Sequence, residues 1–214
     1  MKETRPADAP FYVLLGPDGA GKSSVMTELN RRLPEWSFAS TDDAFVGDEH
    51  RLVRQLRAHV EKEVLPGLGE TYSMDFLASL LQTAVVHLRD RVGLATAQSP
   101  LVMDSYYYKI LAKCRLGGVE DNPMYAWWRS FAQPRTVIYL DVSPPSAWRR
   151  LQGGASVNRL ESTDVRSGRL GFESYQRSLR KLMMEEVRHV PVVIVDEQPS
   201  VTRAADRVLE VLAP

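Results

Sequence analysis

The chain of 214 residues contains a single cysteine, Cys114. An internal disulfide is therefore excluded, and with it the small disulfide-braced secreted scaffold. Charge of one sign is also missing, since 27 Lys and Arg stand against 27 Asp and Glu. With no block of like charge, neither a nucleic-acid footprint nor an anionic-membrane patch is indicated. No apolar run approaches the ~18 residues that a membrane span needs. The charged, proline-containing start from Met1 to Pro10 has no apolar signal-peptide core. The histidines, His50, His59, His87 and His189, show no metal-ligand spacing, and no repeat, low-complexity tract or Asn-Lys-x-Asp guanine motif occurs. These absences predict a cytoplasmic protein that meets small molecules, with no nucleic-acid and no membrane partner, and they leave a homodimer open. Cys114 stands in no motif and reads as a small buried hydrophobe.

What is present begins with the apolar run Phe11 to Leu15, which leads directly into Gly16-Pro17-Asp18-Gly19-Ala20-Gly21-Lys22-Ser23. This is a complete G-x-x-x-x-G-K-[ST] sequence, following a strand and opening a helix. Glycines are needed there because backbone N–H groups must turn toward phosphate oxygens at distances that a Cβ obstructs. The helix start adds unpaired amides and a positive dipole end to the Lys22 ammonium, and the Ser23 hydroxyl is placed for Mg²⁺. With glycine at ~7% of residues, an accidental match in a chain this long occurs roughly once in a hundred proteins. The segment predicts binding of a nucleoside triphosphate, with ATP and Mg²⁺ as the expected ligands.

Four further runs read as strands: Trp36 to Ser40, Leu101 to Met103, Thr136 to Val142 and Val192 to Val195. Helical spacing of apolar residues covers about 22 to 33, 49 to 64, 73 to 92, 105 to 116, 144 to 152, 170 to 189 and 200 to 212. Alternating strands and helices predict an α/β fold, a five-stranded parallel sheet covered by helices on both faces. One domain over residues 1–214 is expected. In such sheets the ligand crevice lies beyond the carboxyl ends of the strands, so residues after each apolar run are the site candidates.

Asp104 follows Leu101-Val102-Met103 and is placed to hold Mg²⁺, or alternatively to cap the next helix. Asp141 ends its strand similarly but precedes Ser143-Pro144, which favours a capping or packing role. Asp42 and Asp43 follow the second strand and suit either an acceptor-side carboxylate or a turn. The glycine-punctuated stretch of about 153–171 carries Arg159, Arg166 and Arg169 and reads as a basic lid. Phosphoryl transfer needs cations that gather round the migrating group on closure, and the segment from Gly16 to Lys22 has no arginine of its own. Of Tyr106, Tyr107 and Tyr108, successive positions on a helix face different ways, so at most one or two can meet a ligand.

In order along most of its length the chain resembles the thymidylate kinase family of P-loop nucleoside monophosphate kinases. The resemblance is carried by Leu14 to Ser23, by Asp104-Ser105-Tyr106, by Ile138 to Pro144, by Asn158-Arg159-Leu160-Glu161 and by Val195-Asp196-Glu197. It implies an acceptor-side role for Asp18, a catalytic lid arginine at Arg159, and an adenine border after the last strand. The expected catalytic set is then Lys22, Asp18, Asp104 and Arg159, with Ser23 and Asp104 on Mg²⁺. The expected nucleotide contacts are Gly16, Gly19, Ala20, Gly21, Lys22, Ser23 and Ser24, joined by Arg166 and Arg169.

The departures concern the acceptor. Ser105 stands where the family has an arginine, and Ser40 to Gly47 replaces its Arg-Glu-Pro-Gly-Gly segment. No arginine occurs from Thr71 to Leu88, and the positions of the family's stacking phenylalanine and base-reading arginine fall on Leu80 and Ala84. Arg54 or Arg57 is left to meet an acceptor phosphate. The resemblance therefore implies ATP-dependent phosphoryl transfer to a nucleoside monophosphate, dTMP by default. A specialised kinase of the same fold acting on another hydroxyl or phosphate is the alternative, with Asp42, Asp43 or Asp104 as base for a hydroxyl. A nucleotide-hydrolysing switch is the third reading.

Overall fold

A computed structural model of the protein describes residues 10–154, 160 and 168–213. Five strands, β1 (Phe11–Leu15), β2 (Ser37–Ala39), β3 (Leu101–Asp104), β4 (Thr136–Asp141) and β5 (Val192–Asp196), form one parallel sheet in the order β2-β3-β1-β4-β5. Central β1 pairs on both sides, Val13 lying opposite Met103 and Val137. Its whole run of five apolar residues is consequently buried, as a strand covered on both faces requires.

Period-two alternation divides these strands between two cores. Phe11, Val13, Leu15, Met103, Val137 and Tyr139 face a layer containing α3 (Met74–Val92), α4 (Tyr108–Leu116), α5 (Pro123–Arg129) and α7 (Gly168–Glu186). Tyr12, Leu14, Val102, Ile138 and Leu140 face α1 (Lys22–Arg32), α6 (Pro144–Arg150) and α8 (Val201–Leu212). The stripe Val25, Met26 and Leu29 attaches α1 to its core, and Ala205, Val208 and Leu212 do the same for α8. Side-chain caps set several helix starts: Ser73 accepts from Phe76 N, Ser143 from Ser146 N and Ser200 from Arg203 N.

Three elements differ from the sequence expectation. Residues 49–64 are not one helix: a 3₁₀ turn at Asp48–His50 leads into α2 (Arg51–His59), and a wider π-turn spans Val60–Val64. Helix α5 has no counterpart in the apolar spacing, although Asn122 caps it and Pro123 occupies its first turn. The helix expected from residue 105 begins only at Tyr108, because Ser105 and Tyr106 take left-handed φ of 61° and 47°. Among the described residues no helix is long and apolar enough to cross a membrane.

Leu29 has no exposed surface and lies on the core-facing side of α1, the helix that follows the glycine loop. Leu29→Ala is expected to cost about 3 kcal/mol, read as a shift in urea midpoint without a change in slope.

Candidate active site

The carboxyl ends of β1, β3 and β4 meet at the loop Gly16–Gly21. Glycine is required at Gly19, where φ is +76° and an added Cβ would lie 2.8 Å from the Ala147 carbonyl oxygen. Gly21 also needs its freedom, since it starts α1 with φ 85° and makes no side-chain cap. The first-turn amides of α1 have no i−4 carbonyls to use and no side chain caps them. Loop and helix start together suit a polyphosphate.

Asp18 is the best-anchored acid of the loop. It is buried, with Oδ1 at 2.8 Å from Lys109 Nζ and 3.1 Å from Lys113 Nζ. Gln176 on α7 holds it from the other side, donating from Nε2 to Oδ2 and accepting from the Asp18 amide, both at 3.1 Å. Burial alone would raise this carboxyl, but the ammonium groups of Lys109, Lys113 and Lys22 outweigh it and hold the group below the usual carboxylate range. Lys109 also donates to the Gly16 carbonyl oxygen at 3.2 Å. Lys22 is buried and donates to the Pro17 carbonyl oxygen at 3.3 Å. Burial, aided by the neighbouring Lys109 ammonium, pushes Lys22 down to about 8 against the pull of Asp104 and Asp18.

The expected metal pair and its surroundings converge on one cavity of about 470 Å³. Gly19, Lys22, Ser23, Asp104 and Ser105 line its loop end, with Asp42 and Arg57 beside them. The Ser23 hydroxyl donates to Asp42, Arg57 donates to the same carboxylate, and the Ser105 hydroxyl donates to Asp104. Burial would raise Asp42; the Ser23 and Arg57 hydrogen bonds keep it low instead. Among the described residues no cluster of three or more His, Cys, Asp or Glu could hold a metal. An ion on Ser23 and Asp104 would therefore need phosphate oxygens or water as its further ligands, which suits Mg²⁺.

The remaining sequence candidates separate. Gly16, Ala20 and Gly21 belong to the loop, and Ser24 is exposed one step along α1. Arg57 lines the cavity, whereas Arg54 turns to Asp48 at 3.0 Å. Arg169 pairs with Glu173 at 2.6 Å in the first turns of α7 and does not line the cavity. Arg159 and Arg166 lie outside the described residues, as does most of the expected lid. Asp141 caps nothing: Ser143 takes that place, and Asp141 instead binds Arg180 at 2.8 Å and 3.2 Å. Tyr106, Tyr107 and Tyr108 are all fully buried, and only Tyr106 lines the cavity. Burial pushes the Cys114 thiol up to about 12, in keeping with a packed hydrophobe.

Four functional candidates were not visible as such in the sequence. Lys109 and Lys113 form an i,i+4 pair, a spacing that puts both on one face of α4, but only the packing of α4 turns that face to the loop. Gln176 arrives from α7, 158 residues away from Asp18. Arg150 donates to the Ala20 carbonyl oxygen and pairs with Glu197, both at 3.2 Å, joining the loop to the end of β5.

No protein-family model and no curated protein matches the chain. Solved structures do. Deoxyadenosine kinase from M. mycoides, with the products dCMP and a flexible dCDP bound, matches with TM-score 0.64 and 14% identity over 94% of this chain and 98% of that one. The same enzyme with bound dATP gives 0.60 and 15%, over 95% and 98%. Thymidylate kinase from Candida albicans gives 0.64 and 12%, over 95% and 90%. The chain thus has the fold of P-loop deoxynucleoside and thymidylate kinases.

Because Lys22 is depressed from its ordinary 10.5 to about 8, an arriving polyphosphate must draw its ammonium pKa back up. Binding of ATP·Mg²⁺ between about pH 8 and 10 is expected to take up protons, and near pH 6.5 Lys22 should add none. Titration calorimetry in buffers of different ionisation enthalpy measures this directly.

Proposed function

We propose that the protein is an ATP·Mg²⁺-dependent kinase of a small acceptor that enters the cavity between α2, α3 and α4. The observation that carries this reading is the continuity of the glycine loop with that cavity, which lets two ligands meet at Lys22 and Ser23. Lys22 and the loop amides hold the β- and γ-phosphates, and Ser23 and Asp104 hold Mg²⁺. An ion held there would supply neutralisation of the charge that develops during transfer. Asp18 keeps Lys109 and Lys113 at the acceptor side, and Arg159 of the lid neutralises the migrating group. Arg166, Arg169 and Ser24 contribute to nucleotide binding. In the reaction the bond between the γ-phosphorus and the β,γ-bridging oxygen breaks and a new P–O bond forms to the acceptor, leaving ADP.

Thymidylate is the acceptor that the family resemblance implies, and its oxygen is already a nucleophile. A specific observation favours the hydroxyl alternative. Asp42 sits against Ser23 at the loop end, where its carboxylate, paired with Arg57, can take the proton released by an alcohol, a step that a monophosphate does not need. Its low pKa is no obstacle, since a loose transition state needs the proton removed only late.

Lys22→Ala is expected to abolish acceptor-dependent ADP formation while leaving the thermal midpoint near that of the parent; activity above a tenth of the parent would contradict the phosphate site. Asp42→Asn is expected to lower kcat at least 100-fold with a hydroxyl acceptor and by less than tenfold with a monophosphate. Steady-state assays with both acceptor types separate these readings. Arg159→Ala is expected to reduce kcat far more than it weakens ATP binding measured by calorimetry.

A further inference from the structure

The half of the cavity remote from the glycine loop differs in kind from the half beside it. Val53 and Leu56 of α2, Leu80 and Ala84 of α3, Ile110 of α4 and Leu65 beyond the π-turn form its wall. Leu160 closes against the same region, packed with Val60, Val64, Leu65 and Leu77. Among the described residues the polar side chains of this wall are already engaged: Glu61 accepts from Arg57 Nε at 2.9 Å. The Thr83 hydroxyl donates to its own helix, at 2.7 Å from the Leu80 carbonyl oxygen. The Tyr106 ring is built into a cluster with Phe11, Tyr107, Tyr108 and Phe131, and its hydroxyl, without a hydrogen-bond partner among the described residues, is buried with it. The backbone N–H and C=O groups of the parts of the wall that belong to α2 and α3 are spent on their own ladders, and the Leu160 carbonyl oxygen accepts from the Tyr175 hydroxyl at 2.8 Å. Even the π-turn is closed, with Leu65 N bonded to the Val60 carbonyl oxygen at 2.9 Å.

A nucleobase carries carbonyl and N–H groups on its edge, and burying them without partners is unfavourable. An apolar wall disfavours such groups, though less strongly than a wall built to hydrogen-bond them rejects an apolar analogue. At the other end stand Lys109, Arg57 and Asp42, suited to an oxygen that accepts a phosphoryl group. The cavity is therefore amphiphilic along its length.

We propose that the acceptor has an apolar body, with its reactive oxygen, an alcohol or a monophosphate, directed to the glycine loop, and is not a nucleoside or nucleotide. This rests on the kinase reading above and narrows its substrate class. For an alcohol, the γ-phosphoryl group passes from ATP to the hydroxyl oxygen, the hydroxyl proton goes to Asp42, and ADP and a phosphate monoester leave. For a monophosphate, the attacking oxygen is already deprotonated and a diphosphate forms.

The test is calorimetric binding to the full chain saturated with ADP·Mg²⁺, using two pairs of probes that differ only in their bodies: hexanol against thymidine, and hexyl phosphate against dTMP. The hexyl member of at least one pair is expected to bind tenfold or more tightly than its nucleoside counterpart, and the pair that shows the preference tells an alcohol from a monophosphate. Ala84→Gln, with Leu80→Asn as a second variant should the first not fold, is expected to weaken that hexyl probe at least tenfold and leave the ADP·Mg²⁺ dissociation constant within twofold. Tyr106→Phe is expected to change it less than twofold. A hexyl preference below tenfold in both pairs, or no binding of either hexyl compound, overturns the inference, and so does a tenfold loss in Tyr106→Phe. In each of those cases ADP·Mg²⁺ binding by the parent leaves the kinase reading standing; its absence sinks that reading instead.

Discussion

The arrangement of the site depends on one buried carboxylate. Asp18 lies within 3.1 Å of two ammonium groups and is gripped by an amide from a third element. Removing such a charge from water is expensive, and the cost is offset only when partners and hydrogen bonds surround it. Here the partners come from the loop itself, from α4 and from α7, so the same interaction that makes Asp18 tolerable also fixes three parts of the fold about the glycine loop. The depressed Lys22 belongs to this cluster: its ammonium is held close to another of the same sign in a dry environment, a condition that an incoming anion relieves.

A strained stretch of backbone makes that cluster geometrically possible. The Ser105 amide still donates to the Leu14 carbonyl oxygen at 2.9 Å, as though β3 continued. Ser105 and Tyr106 then take positive φ, which costs non-glycine residues of order 1–3 kcal/mol each. The turn ends the strand abruptly, buries three consecutive tyrosines and starts α4 in the rotation that points Lys109 and Lys113 at the loop. Burial of that aromatic cluster, where ring centroids lie 4.4 to 5.9 Å apart among the three tyrosines, supplies the packing that holds the strained residues in place.

Much of the fold was legible because it rests on local pattern. Among the described residues, apolar runs and turn residues locate all five strands, and the capping residues and helical spacing locate seven of the eight α-helices, though α2 is shorter than expected and α4 starts late. Helix α5 escaped because its seven residues are too few to display a period, and the delayed start of α4 because no propensity anticipates two adjacent left-handed non-glycine residues. At the site, the loop residues and Asp104 could be read from their neighbours in sequence. The partners of Asp18 could not, since a lysine stripe and a glutamine on remote helices carry no signal until packing brings them to a loop.

By itself the sequence determined the glycine loop, for a chemical reason: glycine geometry, a helix start and a lysine are contiguous in the chain and need no distant partner. It also determined the sheet, since five apolar runs separated by helices have few ways to bury both faces. Only the tertiary structure decided what faces that loop. The charge cluster round Asp18, the contact of Asp42 with Ser23 and the apolar character of the remote wall each depend on side chains far apart in the chain, and a group's charge state and company follow from the space it is packed into.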